Sequence, residues 1–394
     1  MTGPRMFAVF LVFVVGVIGW GILGSASHLR STDRSSNLSR AVQQLWGQPI
    51  VQSAPSFTVN VPGTDRERPL LPSANEIDVT IDLDHRRKGL IWYSLFEVDF
   101  RGSYTISNNA GIAQRARIQF AFPSKDATYR ALQFLIDGVS QDIEIDTTTG
   151  LRHLLPLAPD QSRTIEVRYR TRGLDSWRYE LAAHGNRVKN LDFKLHTNFQ
   201  RIDYLEASLS PMAQQQTGTG IQLSWRANDL VTRQGIGVLM PEKMNPGPLS
   251  ARMSFFAPVC LLFFFVLITA ICILRKIDIH PMHYLFVNAG FFAFHLIFAY
   301  FVDVVDVHIT FAIASAVSVI LVISYLAAAL GRRFPWHIAA IGQLFYLVLF
   351  SYSFFLEGMT GLTITVASVI TLAVLMWMTA RLDWGEVFGS KSAG

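Results

Sequence analysis

Five long apolar runs, separated by short polar breaks, fill residues 254–380. A helix of about 20 apolar residues crosses the ~30 Å hydrocarbon core of a bilayer, and in lipid only a helix or a closed barrel satisfies its own backbone hydrogen bonds. The composition agrees, because 51% of the residues are hydrophobic and only 16% are charged. The chain is therefore predicted to be a polytopic membrane protein, with C-terminal spans at 254–274, 284–301, 309–330, 338–356 and 361–380.

The polar breaks between the spans alternate in charge. Lys and Arg in short loops favour the cytoplasmic side of a membrane. We therefore expect the basic set of breaks to be cytoplasmic. That set contains Arg275, Lys276, Arg332, Arg333 and Arg381, whereas the other set contains Asp303, Asp306 and Glu357 and no Lys or Arg.

A further apolar run of 19 residues, Met6–Gly24, follows Arg5 at the N-terminus. The apolar region of a secretory signal has 7 to 15 residues, so the length favours a retained anchor. The stretch Ser25-Ala26-Ser27 resembles a cleavage site, which leaves a cleaved signal as the alternative. Both interpretations place the following residues outside the cytoplasm. A retained anchor gives six spans with both termini in the cytoplasm.

Residues 25–75 are expected to form a periplasmic linker, because they mix Ser, Arg, Gln and Pro. Within them, Ser36–Trp46 is predicted to be a short amphipathic helix that packs on the domain or on the membrane surface, in preference to a dedicated partner-binding helix. Its apolar side contains Leu38, Ala41, Val42, Leu45 and Trp46, and its polar side contains Arg40, Gln43 and Gln44. The prolines that follow, at 55, 62, 69 and 72, keep the chain extended.

From residue 76 the hydrophobic period changes to two, which is typical of strands with one buried face. Turn residues at Asp137-Gly138, Thr149-Gly150 and 218–220 separate the strands. The pattern predicts an antiparallel, sandwich-like all-β domain. The alternating stretches are Ile77–Leu83, Trp92–Phe100, Ile118–Phe122, Ile165–Tyr169, Leu191–Leu195 and Ile221–Trp225.

The predicted organisation is an anchor at 1–24, a linker at 25–75, a periplasmic β domain at 76–250, a five-helix transmembrane bundle at 251–384 and a cytoplasmic tail at 385–394. Pro241, Pro246 and Pro248 are expected to form a stiff linker back to the membrane. The only cysteines, Cys260 and Cys272, fall in the first C-terminal span, so no disulfide can stabilise the β domain.

The strongest metal-like pattern is His280-x-x-His283, with His337 in the next cytoplasmic break. Two histidines three residues apart share a helix face, but zinc needs three or four ligands, and Pro281 makes His280 a cap-like residue. We expect no metal here and no cofactor elsewhere. The histidines are interpreted as interfacial residues that mark the start of a helix.

His295 lies inside its span, where an ionisable side chain is costly and often functional. We favour a neutral histidine bonded to a neighbouring helix over a haem ligand or a proton relay. Small polar residues in the spans are expected to aid helix packing and not catalysis. These residues are Ser315, Ser318, Thr365, Ser368 and Thr371.

No Walker A loop, dinucleotide fingerprint, H-E-x-x-H or G-x-S-x-G motif occurs in the sequence, so the chain is not expected to be an enzyme. An envelope enzyme remains an alternative, which would draw on side chains of the β region. They are His153, His184, His196, Asp142, Glu144 and Asp192. A net charge of +5 without a clustered basic module also gives no reason to expect nucleic-acid binding.

Three stretches resemble the CreD family of bacterial inner-membrane proteins, which are linked to cell-envelope integrity and colicin tolerance. They are residues 280–285 (HPMHYL) with the apolar runs and Ala314-Ser315 after them, residues 379–384 (TARLDW), and residues 39–49 (SRAVQQLWGQP) with Val59–Pro62. The order of anchor, large domain and helical bundle is also similar. The resemblance implies an inner-membrane location and an envelope-associated role, and it carries over no active-site residue.

We therefore expect a non-enzymatic inner-membrane protein whose periplasmic β domain binds or senses an envelope component. The expected partners are membrane lipid and an envelope protein or glycan, and the oligomeric state is left open. The alternative is a subunit of a transporter or channel, which would need a polar pathway through the bundle. Only His295 and Gln343 offer sizeable polar groups for such a pathway.

Overall fold

The computed structural model describes residues 3–61, 66–89, 91–143, 145–181, 187–331, 334–356 and 358–380. The side chains of residues 3, 33–40, 378 and 379 lie outside this description. The chain divides into two compact units. One comprises residues 1–35 and 244–394, and the other comprises residues 36–243.

Long apolar helices form the first unit, and six of the helical stretches in the described residues are long and apolar enough to cross a membrane. This agrees with the six spans expected from the sequence. The elements are α1 (Gly3–Trp46), α2 (Pro246–Leu274), α3 (Pro281–Phe301), α4 (Val307–Leu330), α5 (Trp336–Gln343), a π-helical turn (Leu344–Leu349), α6 (Phe350–Tyr352), a 3-10 turn (Ser353–Phe355) and α7 (Thr360–Thr379).

Capping side chains and prolines set the starts of these helices. The His280 side chain accepts a hydrogen bond from the Met282 amide and Pro281 occupies the first turn of α3, as predicted. Asp306 caps α4 by accepting from the amides of His308 and Ile309.

Two boundaries differ from the prediction. Helix α2 begins at Pro246, so Pro246 and Pro248 belong to its first turn and not to a linker, because proline is tolerated where the amide has no intrahelical partner. Helix α1 runs without a break to Trp46, so the residues 25–35 expected as linker continue the helix into the predicted 36–46 segment.

Sixteen strands form the described part of the second unit. They are β1 (Ile50–Ser53), β2 (Ser56–Asn60), β3 (Glu67–Pro69), β4 (Ala74–Lys88), β5 (Ile91–Ser107), β6 (Gln114–Phe120), β7 (Arg130–Ile136), β8 (Val139–Ser140), β9 (Leu151–Leu157), β10 (Ser162–Leu174), β11 (Ser176–Glu180), β12 (Arg187–Thr197), β13 (Asp203–Tyr204), β14 (Ala213–Thr217), β15 (Gly220–Val231) and β16 (Ile236–Leu239). The β region thus begins at Ile50 rather than at residue 76, since three strands lie in the proline-rich stretch.

One eight-stranded and two four-stranded sheets result from these pairings. Their strand orders are β14-β15-β12-β4-β5-β10-β7-β8, β3-β2-β6-β9 and β1-β11-β16-β13. The long hairpin β4–β5 is paired from Ala74–Thr105 to Lys88–Ile91 and forms the centre of the large sheet. Pairing between the named strands is antiparallel except between β4 and β12 and between β1 and β11, which are parallel. The eight-stranded sheet and the sheet that contains β1 are therefore mixed, whereas the β3-β2-β6-β9 sheet is antiparallel throughout.

Alternate residues of the large sheet meet the small sheets in one apolar core. Phe100 is fully buried and stacks on Tyr169 with ring centroids 5.0 Å apart. The turns fall where the sequence placed them, because Asp137 and Gly138 link β7 to β8, and Gly218 lies between β14 and β15, all with positive φ. Each Å² of apolar surface buried contributes about 25 cal/mol, which is the main stabilisation of such a core.

Helix α1 is an integral part of the helical unit. Trp20 is completely buried in the apolar core of the bundle, and the Asn288 side chain of α3 donates to the Val12 carbonyl at 2.9 Å. Ion pairs join α1 to the two ends of α3, with 2.5 Å between Arg5 and Asp278 and 3.7 Å between Arg30 and Asp303.

Candidate functional site

A cleft in the β domain has a volume of about 580 Å³. Its walls come from three parts of the chain that lie far apart in sequence. They are the end of α1 with the residues after it (Gln43, Gln44, Leu45, Trp46, Gly47, Gln48), the loop after β6 (Ser124, Asp126, Ala127, Thr128), and Arg130 with Arg172 from β7 and β10. This volume lies within the range of roughly 300–1,000 Å³ that small-molecule sites occupy.

The first wall ends helix α1 with a glycine. Gly47 has a φ of +111°, and its amide donates to the Gln43 carbonyl at 3.1 Å. A Cβ at this position would lie 2.6 Å from the Arg172 carbonyl oxygen, so a side chain would collide with the neighbouring strand. The Trp46 ring packs edge-on against Tyr93, whereas the Leu45 side chain is 67% exposed. The wall therefore presents an apolar side chain beside its glutamine amides.

The second wall is a loop that its own side chains hold in place. The Tyr129 hydroxyl donates to the Ser124 carbonyl at 2.7 Å and accepts from the Ser124 amide at 3.0 Å. Burial raises the pKa of Tyr129 to about 12, against a smaller opposing effect of the hydrogen bond with Ser124, so the hydroxyl stays protonated. The Thr171 hydroxyl donates to the Thr128 carbonyl at 3.0 Å. The loop conformation is thus set before any ligand binds.

One carboxylate lies between the two arginines of the cleft. Arg130 donates from Nη2 to Glu97 Oε2, and Arg172 Nε lies 3.6 Å from the same oxygen. A guanidinium has five N–H donors, so each arginine keeps donors beyond those that Glu97 can accept. The cleft therefore combines amide, hydroxyl and guanidinium groups with an indole ring, which suits a ligand rich in hydroxyl and carboxyl oxygens.

The histidines of the metal-like pattern have protein partners. His280 caps α3, and His283 Nδ1 lies 2.9 Å from the Tyr325 hydroxyl. His337 lies on α5 beside Trp336. Within the residues described, no three His, Cys, Asp or Glu side chains are grouped in a way that could hold a metal ion. The interpretation of His280 as a cap residue is confirmed.

His295 and Gln343 do not share a hydrogen-bond partner. His295 Nδ1 lies 3.1 Å from the Phe291 carbonyl of its own helix α3, and not from a neighbouring helix as predicted. Its ring meets Trp20 edge-on. Gln343 Nε2 donates at 3.1 Å to the Ser318 hydroxyl, which in turn donates to the Gly290 carbonyl at 2.7 Å. The structure thus brings Gln343 together with one of the predicted packing serines and leaves His295 on separate partners. The π-helical turn begins directly after Gln343.

Other packing residues of the spans also bond within their own helices. Thr365 and Thr371 donate to the carbonyls of Gly361 and Ala367, four residues earlier. Ser315 is 8% exposed, and its hydroxyl has no hydrogen-bond partner among the described residues. These hydrogen bonds lie within one helix, whereas that of Ser318 reaches the Gly290 carbonyl of α3.

The acids and histidines of the β region are spread over different sheets. His153 lies on β9 against Phe134, and burial lowers its pKa. His196 and Asp192 lie on β12 of the large sheet, where His196 approaches Asp78 at 3.6 Å and Asp192 accepts from Arg226 at 3.3 Å. Asp142 follows β8, whereas His184 and Glu144 fall outside the described residues. The described members therefore do not converge on one cleft.

Residues 205–385 match the model of a protein family described as Inner membrane protein CreD. This part of the chain is similar to the CreD family. The match covers β14 to α7 and includes the HPMHYL stretch at 280–285 on which the resemblance was based. The cleft residues lie before residue 205, outside the part that matches the family.

Comparison with curated proteins finds no match for this chain. Among solved structures, a Legionella pneumophila protein described as nutrient binding has 11% identity and a TM-score of 0.34, covering 62% of this chain and 84% of its own. An M1 zinc metallopeptidase from Deinococcus radiodurans has 10% identity and a TM-score of 0.26, covering 50% and 53%. At these values neither likeness assigns a fold or a function.

Sequence reasoning predicted the helix that forms one of the three walls, but not the cleft itself. The amphipathic segment at 36–46 contains Gln43, Gln44 and Trp46, but partner binding was the less favoured interpretation for it. The sequence pattern did not distinguish Arg130 and Arg172 from the other arginines of the β region. Their shared contact with Glu97 depends on the pairing of β5 with β10, which no local pattern predicts.

Proposed function

We propose that this chain is a multi-pass inner-membrane protein whose β domain lies in the periplasm and binds envelope glycan in the cleft between α1 and the loop after β6. The family match of the C-terminal part and the six candidate spans support the membrane location. The charge difference between the two sets of helix breaks supports the orientation. The role is binding and not catalysis.

The lining of the cleft is the observation that carries this proposal. Gln44 and Arg172 present exposed amide and guanidinium donors from two different parts of its lining, and Trp46 adds an aromatic surface. Glycan hydroxyl and carboxyl groups pair with such donors, and each hydrogen bond to a charged group contributes roughly 1.5–3 kcal/mol. The loop and the glycine-ended helix fix these groups in position, which lowers the entropic cost of binding.

Co-sedimentation tests the ligand class. Full-length protein in detergent is mixed with isolated peptidoglycan sacculi, and the bound fraction is measured against sacculus concentration. We expect Gln44→Ala with Arg172→Gln to weaken binding at least about tenfold, since the loss of two polar contacts exceeds ~1.4 kcal/mol. The matched control, Gln215→Ala with Arg115→Gln, changes an exposed amide and an exposed guanidinium outside the cleft and leaves binding unchanged.

Photocrosslinking in cells distinguishes a glycan from a protein ligand. A photoreactive residue at Leu45, 67% exposed in the cleft, is compared with one at Val139, 64% exposed on β8. Products from Leu45 that collapse on muramidase digestion support the proposal. Failure of the protein to bind sacculi, together with one discrete protein adduct at Leu45, would replace the glycan with a protein partner.

Labelling of Val139→Cys tests the orientation. The native cysteines are buried in α2, so an impermeant maleimide reports the new thiol alone. Labelling in intact cells with a permeabilised outer membrane is the expected result. Protection until the inner membrane is lysed would place the β domain in the cytoplasm and remove the proposed access to envelope glycan.

A further inference from the structure

The end of the β4–β5 hairpin combines three cations with interfacial aromatic residues. Residues 85–92 (HRRKGLIW) contain Arg86, Arg87 and Lys88 and no acidic residue, and Arg86 Nε donates to Asp84 Oδ2 just before this stretch at 2.8 Å. The register pairs Arg87 with Trp92 and Lys88 with Ile91, so the basic and apolar side chains share the same end of the hairpin. Lys and Arg beside Trp and Ile is the combination that binds the surface of an anionic bilayer.

Neighbouring residues of the β domain hold this hairpin end in place. Lys243 Nζ lies 4.3 Å from the centroid of the Trp92 ring, and Lys88 Nζ lies 6.0 Å from that of Trp46. The His85 ring nitrogen and the Ser94 hydroxyl both reach the Pro241 carbonyl, at 2.8 and 2.7 Å. The basic hairpin is therefore fastened to residues 241–243, the last of this unit.

The covalent chain limits how far residue 243 can be from a membrane span. Helix α2, a candidate span, begins at Pro246, three residues after Lys243. Three extended residues reach at most about 11 Å. The Debye length is about 8 Å at physiological salt and about 30 Å at 0.01 M salt, so charges at the full distance of about 11 Å act on lipid headgroups at low salt and are largely screened at physiological salt.

We propose that the hairpin end formed by Arg86, Arg87, Lys88, Ile91 and Trp92 binds anionic lipid headgroups at the bilayer surface. The cations pair with headgroup phosphates, and Trp92 enters the interfacial layer. Ile91 packs on the cluster of Val42, Tyr93, Leu95 and Leu174 and holds the hairpin end against the domain. Lys243 adds a further cation beside the Trp92 ring. The contact is separate from the cleft and does not depend on a glycan ligand.

Hydrogen exchange of the full-length protein in nanodiscs tests this contact. Discs of phosphatidylglycerol are compared with discs of phosphatidylcholine at low salt. Each cation close to an anionic surface strengthens binding about fivefold, so exchange of amides 85–92 should slow at least about fivefold in phosphatidylglycerol. The difference should disappear in high salt, where the Debye length falls to about 3 Å at 1 M.

A triple variant separates lipid binding from folding. Arg86→Gln, Arg87→Gln and Lys88→Gln should abolish the difference between the two lipids and leave exchange in β10 and β12 unchanged. The control replaces three exposed arginines elsewhere in the domain, Arg115, Arg152 and Arg233, with glutamine and keeps the lipid effect. Equal exchange of the hairpin in both lipids, or an equal loss in the control, would overturn the proposal.

Discussion

The β domain and the helical bundle both bury polar side chains against hydrogen-bond partners. In the β domain, the buried tyrosine hydroxyls bond to other side chains, as Tyr104 and Tyr179 do to each other at 2.7 Å and Tyr169 does to Gln52 at 2.7 Å. In the bundle, the Asn288 side chain reaches the Val12 carbonyl of a neighbouring helix, whereas Thr371 bonds within its own helix. The two units should therefore differ less in their buried polar contacts than in what apolar burial contributes.

Apolar burial drives folding in water, so a core such as that of the β domain is stabilised mainly by its aromatic and aliphatic side chains. Lipid tails are as apolar as leucine, so helices in a bilayer gain little from burying leucine against leucine. They associate through close packing at small residues and through hydrogen bonds. Removing a large side chain should therefore affect the β domain most, and adding a methyl group should affect the bundle most.

The largest expected effect is that of Phe100→Ala in the β domain. Phe100 is fully buried and contacts Tyr169, Phe120 and Tyr179. The lost contacts and the cavity should lower the free energy of unfolding by about 3–5 kcal/mol. Hydrogen exchange should accelerate in β5 and β10 and stay unchanged in α3 and α4.

The control is Phe7→Ala on α1, where the side chain is 68% exposed and would face lipid. It should change the stability by less than about 0.5 kcal/mol. If Phe100→Ala accelerates exchange equally in α3 and α4, the two units unfold together, which would contradict the expectation that this change destabilises the β domain alone.

The converse test adds a methyl group to the bundle with Gly290→Ala. A Cβ there would lie 2.3 Å from Val322 Cγ2 on α4, so the two helices must separate or shift. Overpacking of this kind costs about 1–3 kcal/mol, measured as a lower midpoint of unfolding in mixed micelles. Adding Val322→Ala should restore most of the loss. Gly21→Ala, with no atom within 4 Å of the new methyl group, is the matched control and should be neutral.

Substitutions of the paired tyrosines test how much a buried hydrogen bond between side chains contributes to the stability of the β domain. Tyr104→Phe leaves the Tyr179 hydroxyl buried without its partner, which should cost about 1–3 kcal/mol. Tyr104→Phe with Tyr179→Phe should cost less than the sum of the two single variants, because the double change leaves no orphaned hydroxyl. Thermal unfolding of the four proteins measures the coupling. Strict additivity would mean that the two hydroxyls do not interact.

Hydrophobic periodicity predicted the elements of both units but not their long-range pairing. The spans at 284–301, 309–330 and 361–380 agree with α3, α4 and α7 to within three residues, and the alternating stretch at Ile77–Leu83 lies in β4. The parallel pairing of β4 with β12 joins residues more than 100 positions apart, and no local pattern encodes it. The cleft depends on such pairings, so only its α1 wall was visible in the sequence.

A smaller effect is expected for a hydrogen bond inside the bundle. Ser318→Ala removes the bond to the Gly290 carbonyl and the acceptor used by Gln343. Hydrogen bonds between membrane helices contribute about 0.6 kcal/mol on average, so the unfolding midpoint should fall only slightly. Ser324→Ala, whose hydroxyl bonds within its own helix, should have no effect. A loss of several kcal/mol at Ser318 would show that polar contacts and not close packing hold these helices together.

The smallest expected effect is the pH dependence of stability that arises from the partly buried Asp175 carboxyl. Partial burial, with the nearby charge of Glu242, raises the pKa of the Asp175 carboxyl to about 6, although the residue as a whole is exposed. The unfolded chain ionises this group near its ordinary pKa of 3.8. The folded domain therefore binds the proton more tightly between about pH 4 and pH 6, and stability is lost as the pH rises through that window.

Asp175→Asn should remove this loss, and asparagine also tolerates the positive φ of 64° found at this position. Its advantage over the native chain should appear between pH 4 and pH 6 and remain constant above pH 6. Solvent screening of an exposed group keeps the gain below about 0.5 kcal/mol. Thermal unfolding of both proteins at pH 4, 5, 6 and 7.5 measures the difference. An equal stability difference at pH 4 and pH 7.5 would mean that water solvates the Asp175 carboxylate fully in the folded domain. A difference that grows between pH 4 and pH 6 would mean that the fold removes part of the water from this exposed position.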